Sequence, residues 1–127
     1  MDIPVFQAIP SLEQVQRSHV LLDAVFGFSF TGAVRAPFDA LLSLMTTCGL
    51  PIAAVDIPSG WDVESGPTAT CSLQPDLLIS LTAPKLCAQH FTGRWHYLGG
   101  RFVPPSLAAA YGLTLPPFPG LECVVSL

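Results

Sequence analysis

Residues 19–27, His-Val-Leu-Leu-Asp-Ala-Val-Phe-Gly, form an apolar run that ends at glycine. Such a run predicts a buried strand. A loop bounded by Gly27 and Gly32 follows. Pro37 suits the first turn of a helix, and Phe38, Leu41, Leu42 and Met45 then recur at helical spacing. Cys48-Gly49 predicts the end of that helix, because glycine readily adopts the left-handed backbone of a helix stop. Residues 51–56 read as a second buried strand, residues 61–75 as a polar loop and residues 76–82 as a third strand. A short helical or irregular piece is expected at 85–90, a short strand at 95–98 and one or two helical turns at 105–111. A proline-rich tail closes the chain. Strand, helix, strand with nearly continuous apolar strands predicts an α/β fold built on a parallel sheet covered on both faces.

That fold gives meaning to Val-Asp-Ile-Pro-Ser-Gly-Trp-Asp at 55–62. In open parallel sheets ligands bind outside the carboxyl ends of the strands. Asp56 stands at such an end, and Pro58-Ser59-Gly60 turns the chain there. Asp23 sits inside an apolar run, where a carboxylate is costly unless it is hydrogen-bonded or paired with a cation. Backbone N–H groups at a strand end and a bound cation both answer that need. Asp56 has the same two readings, and Asp62 is expected to brace the loop after Trp61.

Composition changes the picture in one respect. Of 127 residues, 50% are hydrophobic and only 11% are charged, against about 25% charged in ordinary domains. The apolar faces therefore call for cover beyond what this composition supplies. A membrane does not answer that need. Residues 40–55 are uncharged but shorter than the ~20 residues of a span, and residues 102–121 are interrupted by five prolines. The net charge is −4, with four Arg and the single Lys85 widely spread. Nucleic-acid binding has no basic stripe to rest on. The start of the chain shows neither a signal nor a transit pattern, so a cytoplasmic location is expected.

Several chemical patterns are incomplete. The loop from Gly27 to Gly32 has the outline of a P-loop, but Ala33-Val34 stand where Lys and Ser/Thr are required. Nucleotide-triphosphate hydrolysis is thereby unsupported, although the loop's N–H groups can still face an anion. Ser29 and Ser59 lack the G-x-S-x-G surroundings of a nucleophile elbow. A Ser59–Asp76–His96 triad can be drawn only because these residue types are present. Cys48, Cys71, Cys87 and Cys123 form no C-x-x-C pair, and Cys87, His90 and His96 match no common zinc spacing. Cys87 reads as a small core residue.

Four stretches, LLDAVFGFSFTGAVRAPF, AAVDIPSGWDVESG, PDLLISLTAPK and FTGRWHYLGGRFVPP, together resemble the YjeF N-terminal family, in register from about residue 19 to 124. The resemblance implies a Rossmann-like three-layer α/β/α fold and a homodimer. It implies epimerisation of the damaged cofactors NADHX and NADPHX, a bound potassium ion (K+), and members that are cytoplasmic, mitochondrial or secreted. By the family pattern, Asp23 and Ser59 correspond to potassium-site positions. Gly27, Phe28, Ser29, Phe30, Thr31, Gly32, Ala33 and Asp56 correspond to hydrate-binding positions, with Asp56 the catalytic candidate. Lys85 matches a recurrent lysine to which no role is attached. The chain departs from the pattern twice. The family's preceding Gly/Asn-rich loop is not found, so residues 1–127 read as the later part of the domain, with little or no catalysis expected alone. Ala33 stands where the epimerase carries Asp. The family's apolipoprotein A-I-binding branch supplies an alternative, a non-catalytic role in cholesterol efflux.

Overall fold

The computed structural model describes residues 3–69, 71 and 73–127. The chain start inspected for targeting signals includes residues 1 and 2, which lie outside the described residues, as do two positions of the 61–75 loop. Five strands form one sheet in sequence order: β1 (Leu21–Asp23), β2 (Ile52–Val55), β3 (Leu77–Leu81), β4 (Trp95–Gly99) and β5 (Val124–Ser126). The first four are parallel, and β5 runs antiparallel to β4. Helices α1 (Leu12–Val15), α2 (Phe38–Thr47) and α3 (Pro105–Ala110) and a 3-10 helix at Leu86–His90 flank the sheet. This is a Rossmann-like α/β arrangement.

Partners in register share a face of the pleat. One face therefore carries Asp23, Ile52, Ala54, Leu78, Ser80 and Leu98, all buried. Leu42 and Met45 of α2 pack on it with Ile52, Cys71 and Leu73. The opposite face carries Leu22, Val55, Ile79, Leu81, Trp95 and Tyr97, which are half-buried or exposed. Leu22 is 68% exposed. The sequence pattern predicts cover on both faces, but the described residues fully cover only one.

The strand predicted over 19–27 shrinks to three residues. It pairs only with β2, and beyond Asp23 the chain leaves the sheet as the Asp23 carboxylate accepts the Val25 N–H. Two elements escape the periodicity. Helix α1 is only four residues long and rests on a capping box between Ser11 and Gln14. Strand β5, within the predicted tail, exists because the free edge of β4 pairs with it.

Candidate functional site at the carboxyl ends of the strands

Asp23 ends β1, and its register partner Ala54 lies two residues before Asp56, so both acids stand at the same end of the sheet. The turn after β2 reaches back to Asp23. Ser59 donates its N–H to Asp23 Oδ2 at 2.7 Å and its hydroxyl to Asp23 Oδ1 at 2.6 Å. Ser59 Oγ in turn accepts the Phe26 N–H at 2.9 Å. Asp23 and Ser59 are 0% and 1% exposed. The buried charge is thus held by hydrogen bonds, and the loop after β1 is tied to the turn after β2. The tight turn requires Gly60, whose φ is +85° and whose added Cβ would meet Cys71 Sγ at 2.5 Å.

Asp56 is placed differently. Its φ is +67°, in the left-handed region that short polar residues tolerate. Its N–H donates to Ile79 O at 2.7 Å, extending the β2–β3 pairing. Its Oδ1 accepts the Leu81 N–H at 3.1 Å and a proton of Lys85 Nζ at 2.6 Å. Thr82, the residue after β3, also has φ +67°. A β-branched residue there is a strained one. Two such positions at one rim mark a locally costly arrangement of the kind found at ligand sites.

The loop after β1 is shaped by its phenylalanines. Phe26 stacks on Phe30 at 4.2 Å and meets Phe38 edge-on at 5.2 Å, and the Phe30 N–H donates to Gly27 O at 3.0 Å. Phe28 is 66% exposed at the loop tip. It lines a cavity of about 410 Å³ with Val63, Glu64, Thr82, Lys85 and Leu86. Ala33 instead lines a separate cavity of about 330 Å³ with Asp39, Leu42, Thr46 and Cys71. Of the expected hydrate-binding positions Gly27, Phe28, Ser29, Phe30, Thr31, Gly32 and Ala33, contiguous in sequence, Phe28 and Ala33 thus face two different cavities, and the five between and before them line neither. Sequence patterning gave Lys85 no role, although it bridges β2 and β3. The signal available was that it is the chain's single lysine, four residues beyond the end of a buried strand.

Other polar residues have structural places. Asp62 accepts the Ser65 N–H, the Ser65 hydroxyl and the Glu64 N–H. These bonds, the Ser65 N–H foremost, hold its carboxyl below the usual range. Asp76 sits at the opposite, amino end of the strands, where its carboxylate accepts the Ile52 N–H at 2.9 Å and its carbonyl accepts the Arg94 and Trp95 N–H groups. That position separates it from Ser59 and removes the drawn triad. Cys87 packs against Ile57 and Trp61. Burial, helped by the Asp56 charge, pushes its thiol up and keeps it protonated. Among the described residues no group of three or more His, Cys, Asp or Glu is gathered to hold a metal. No helix among them is long and apolar enough to cross a membrane.

His96 bonds Ser80 Oγ at 2.9 Å, and burial lowers its proton affinity. The folded state thus favours the neutral ring. Its contribution to stability is complete above about pH 6.5 and is lost as pH falls below that value toward the lowered folded pKa. His96→Gln is expected to flatten this part of the stability profile in urea titrations between pH 7 and 5. An unchanged slope would contradict the burial argument.

Comparison with known proteins agrees with the fold. The family described as YjeF-related protein N-terminus matches residues 1–87. The crystal structure of yeast ynu0, YNL200c, matches with a TM-score of 0.84 and 35% sequence identity, covering 91% of this chain and 50% of the yeast chain. The chain thus spans about half the length of that yeast protein. It belongs to the YjeF-related N-terminal family.

Proposed function

We propose that the rim built by Asp23, Ser59, Asp56 and the loop after β1 is part of an NAD(P)HX-epimerase site. The observation that carries the reading is the convergence of the Asp23–Ser59 pair and the Lys85-held Asp56 at the carboxyl ends of adjacent parallel strands. A hydrated nicotinamide changes configuration if its hydroxyl leaves and returns on the other face of the ring, through a cationic ring. A fixed carboxylate such as Asp56 stabilises that cation or relays the hydroxyl's proton. Exposed Phe28 offers an aromatic face to the cationic ring.

Potassium belongs to the same proposal. Asp23 and Ser59 form an oxygen-only pair, and no cationic side chain among the described residues pairs with the buried Asp23 carboxylate. That donor chemistry fits a hard cation. The bound ion would supply fixed positive charge near the substrate's phosphates. Two side-chain oxygens do not complete its shell, and the family's Gly/Asn-rich loop would add to it. Turnover is accordingly assigned to a form that carries this loop. The homodimer is likewise part of the proposal.

A second reading, apolipoprotein A-I binding without catalysis, draws support from Ala33 in place of the epimerase Asp and from exposed Val5, Phe6, Phe102 and Leu121. The test is R/S NADHX interconversion by a form joined to the Gly/Asn-rich loop, alongside pull-down of apolipoprotein A-I by the 127-residue chain. Interconversion above the spontaneous rate supports the enzyme reading. A folded but inactive protein that retains apolipoprotein A-I would replace it with the second.

A further inference from the structure

Lys85 Nζ has three protons to donate. The structure directs all three inward: to Asp56 Oδ1 at 2.6 Å, to Leu81 O at 2.7 Å and to Ala83 O at 3.2 Å. The Lys85 and Asp56 side chains are 18% and 14% exposed. Lys85 therefore has no donor left for a ligand, and its fixed geometry is spent on Asp56 and the strained turn around Thr82. On Asp56, Oδ1 is occupied twice, by Lys85 and by the Leu81 N–H. Oδ2 has no hydrogen-bond partner among the described residues, and no described buried side-chain oxygen lacks one, so Oδ2 reaches solvent.

We propose that Lys85 is the positioning residue of this site: it clamps one oxygen of Asp56 so that the other alone is presented to a hydrated nicotinamide ring. The proposal rests on the reading of the rim as an epimerase-type site. It assigns the two carboxylate oxygens different tasks. Oδ1 fixes the rotamer, and Oδ2 meets the developing charge or the hydroxyl proton. Preorganisation of this kind leaves no reorganisation of the carboxylate for the reaction step. The left-handed backbone at Asp56 belongs to the same device, because it turns the side chain toward the end of β3.

The alternative is that Lys85 only staples the turn at 81–85. Side-chain three-bond couplings of Asp56, measured by NMR on the 127-residue chain, separate the two. In the wild type they should report one χ1 rotamer. In Lys85→Met, which keeps a long unbranched side chain and removes the N–H donors, they should report averaging among rotamers. A variant that loosens the Leu81, Thr82 and Ala83 amides to hydrogen exchange but leaves Asp56 in one rotamer would overturn the proposal. If Lys85→Met does not fold, Lys85→Leu, which likewise carries no donor, replaces it, with the same two outcomes. A separate titration with NADHX tests the underlying reading. Absence of ligand-induced shifts in the wild type would remove the epimerase assignment, while the couplings still decide what Lys85 does to Asp56.

Discussion

Asp56→Asn in a form that also carries the family's Gly/Asn-rich loop should abolish NADHX epimerisation. The amide keeps the size of the carboxylate and can still accept the Leu81 N–H, and Asn tolerates the left-handed backbone as Asp does. It loses the negative charge that faces the cationic ring and the second acceptor oxygen, Oδ2, which Lys85 leaves free. Removal of one preorganised electrostatic group typically lowers turnover by about 10²–10³-fold. Loss of the alternative role, relay of the hydroxyl's proton, lowers it by about 10²–10⁴-fold. The fold should survive, since only one end of the β2–β3 pairing is touched. Residual turnover near the wild-type level, measured by separating the R and S forms over time, would remove Asp56 from the chemistry.

Asp23→Ala should have the largest effect on stability. The substitution strips the partner from two buried donors, the Ser59 N–H and the Ser59 hydroxyl. Each buried donor left unpaired costs about 1–3 kcal/mol, so about 2–6 kcal/mol is expected from urea denaturation. Ser59→Ala should cost less. It leaves Asp23 with the residue-59 N–H and orphans only the Phe26 N–H. A loss below about 1 kcal/mol for Asp23→Ala would show that the pair does not tie β1 to the turn after β2.

The sequence makes the framework legible where periodicity is long enough to register. Helix α2 is readable from Phe38, Leu41, Leu42 and Met45, and β2 and β3 are readable as apolar runs. The brace at Asp62 is readable too, because its partners lie only two and three residues away. What stays hidden depends on distance along the chain. Ser59 is 36 residues from Asp23, and Lys85 is 29 from Asp56. No spacing rule connects them, and only the family resemblance groups Asp23 with Ser59. Strand β5 is hidden for a related reason: three residues after a proline-rich stretch become a strand only because β4 offers an edge. The separation of Phe28 from Ala33, which line different cavities, follows from the stacking of Phe26, Phe30 and Phe38, which seats one part of the loop near α2 and leaves Phe28 at the rim.

The half-covered sheet face links composition to this geometry. Leu22, Ile79, Leu81 and Trp95 carry apolar surface on the side away from α2. A chain with 11% charged residues has little polar surface with which to finish that face. The rim residues are nonetheless anchored from the buried side, through Asp23, Ser59 and Trp61, whose indole N–H donates to Leu73 O at 2.8 Å. The Asp23–Ser59 half of the rim is thus fixed from the side that α2 covers.

Amide chemical-shift mapping of the 127-residue chain titrated with NADHX decides whether the rim receives the hydrate. Shifts should concentrate at Phe28, Asp56, Thr82 and Lys85, with little change at Asp76, Arg94 and the residues of α3. Shifts centred on the amino ends of the strands, or none at saturating ligand, would contradict the epimerase assignment.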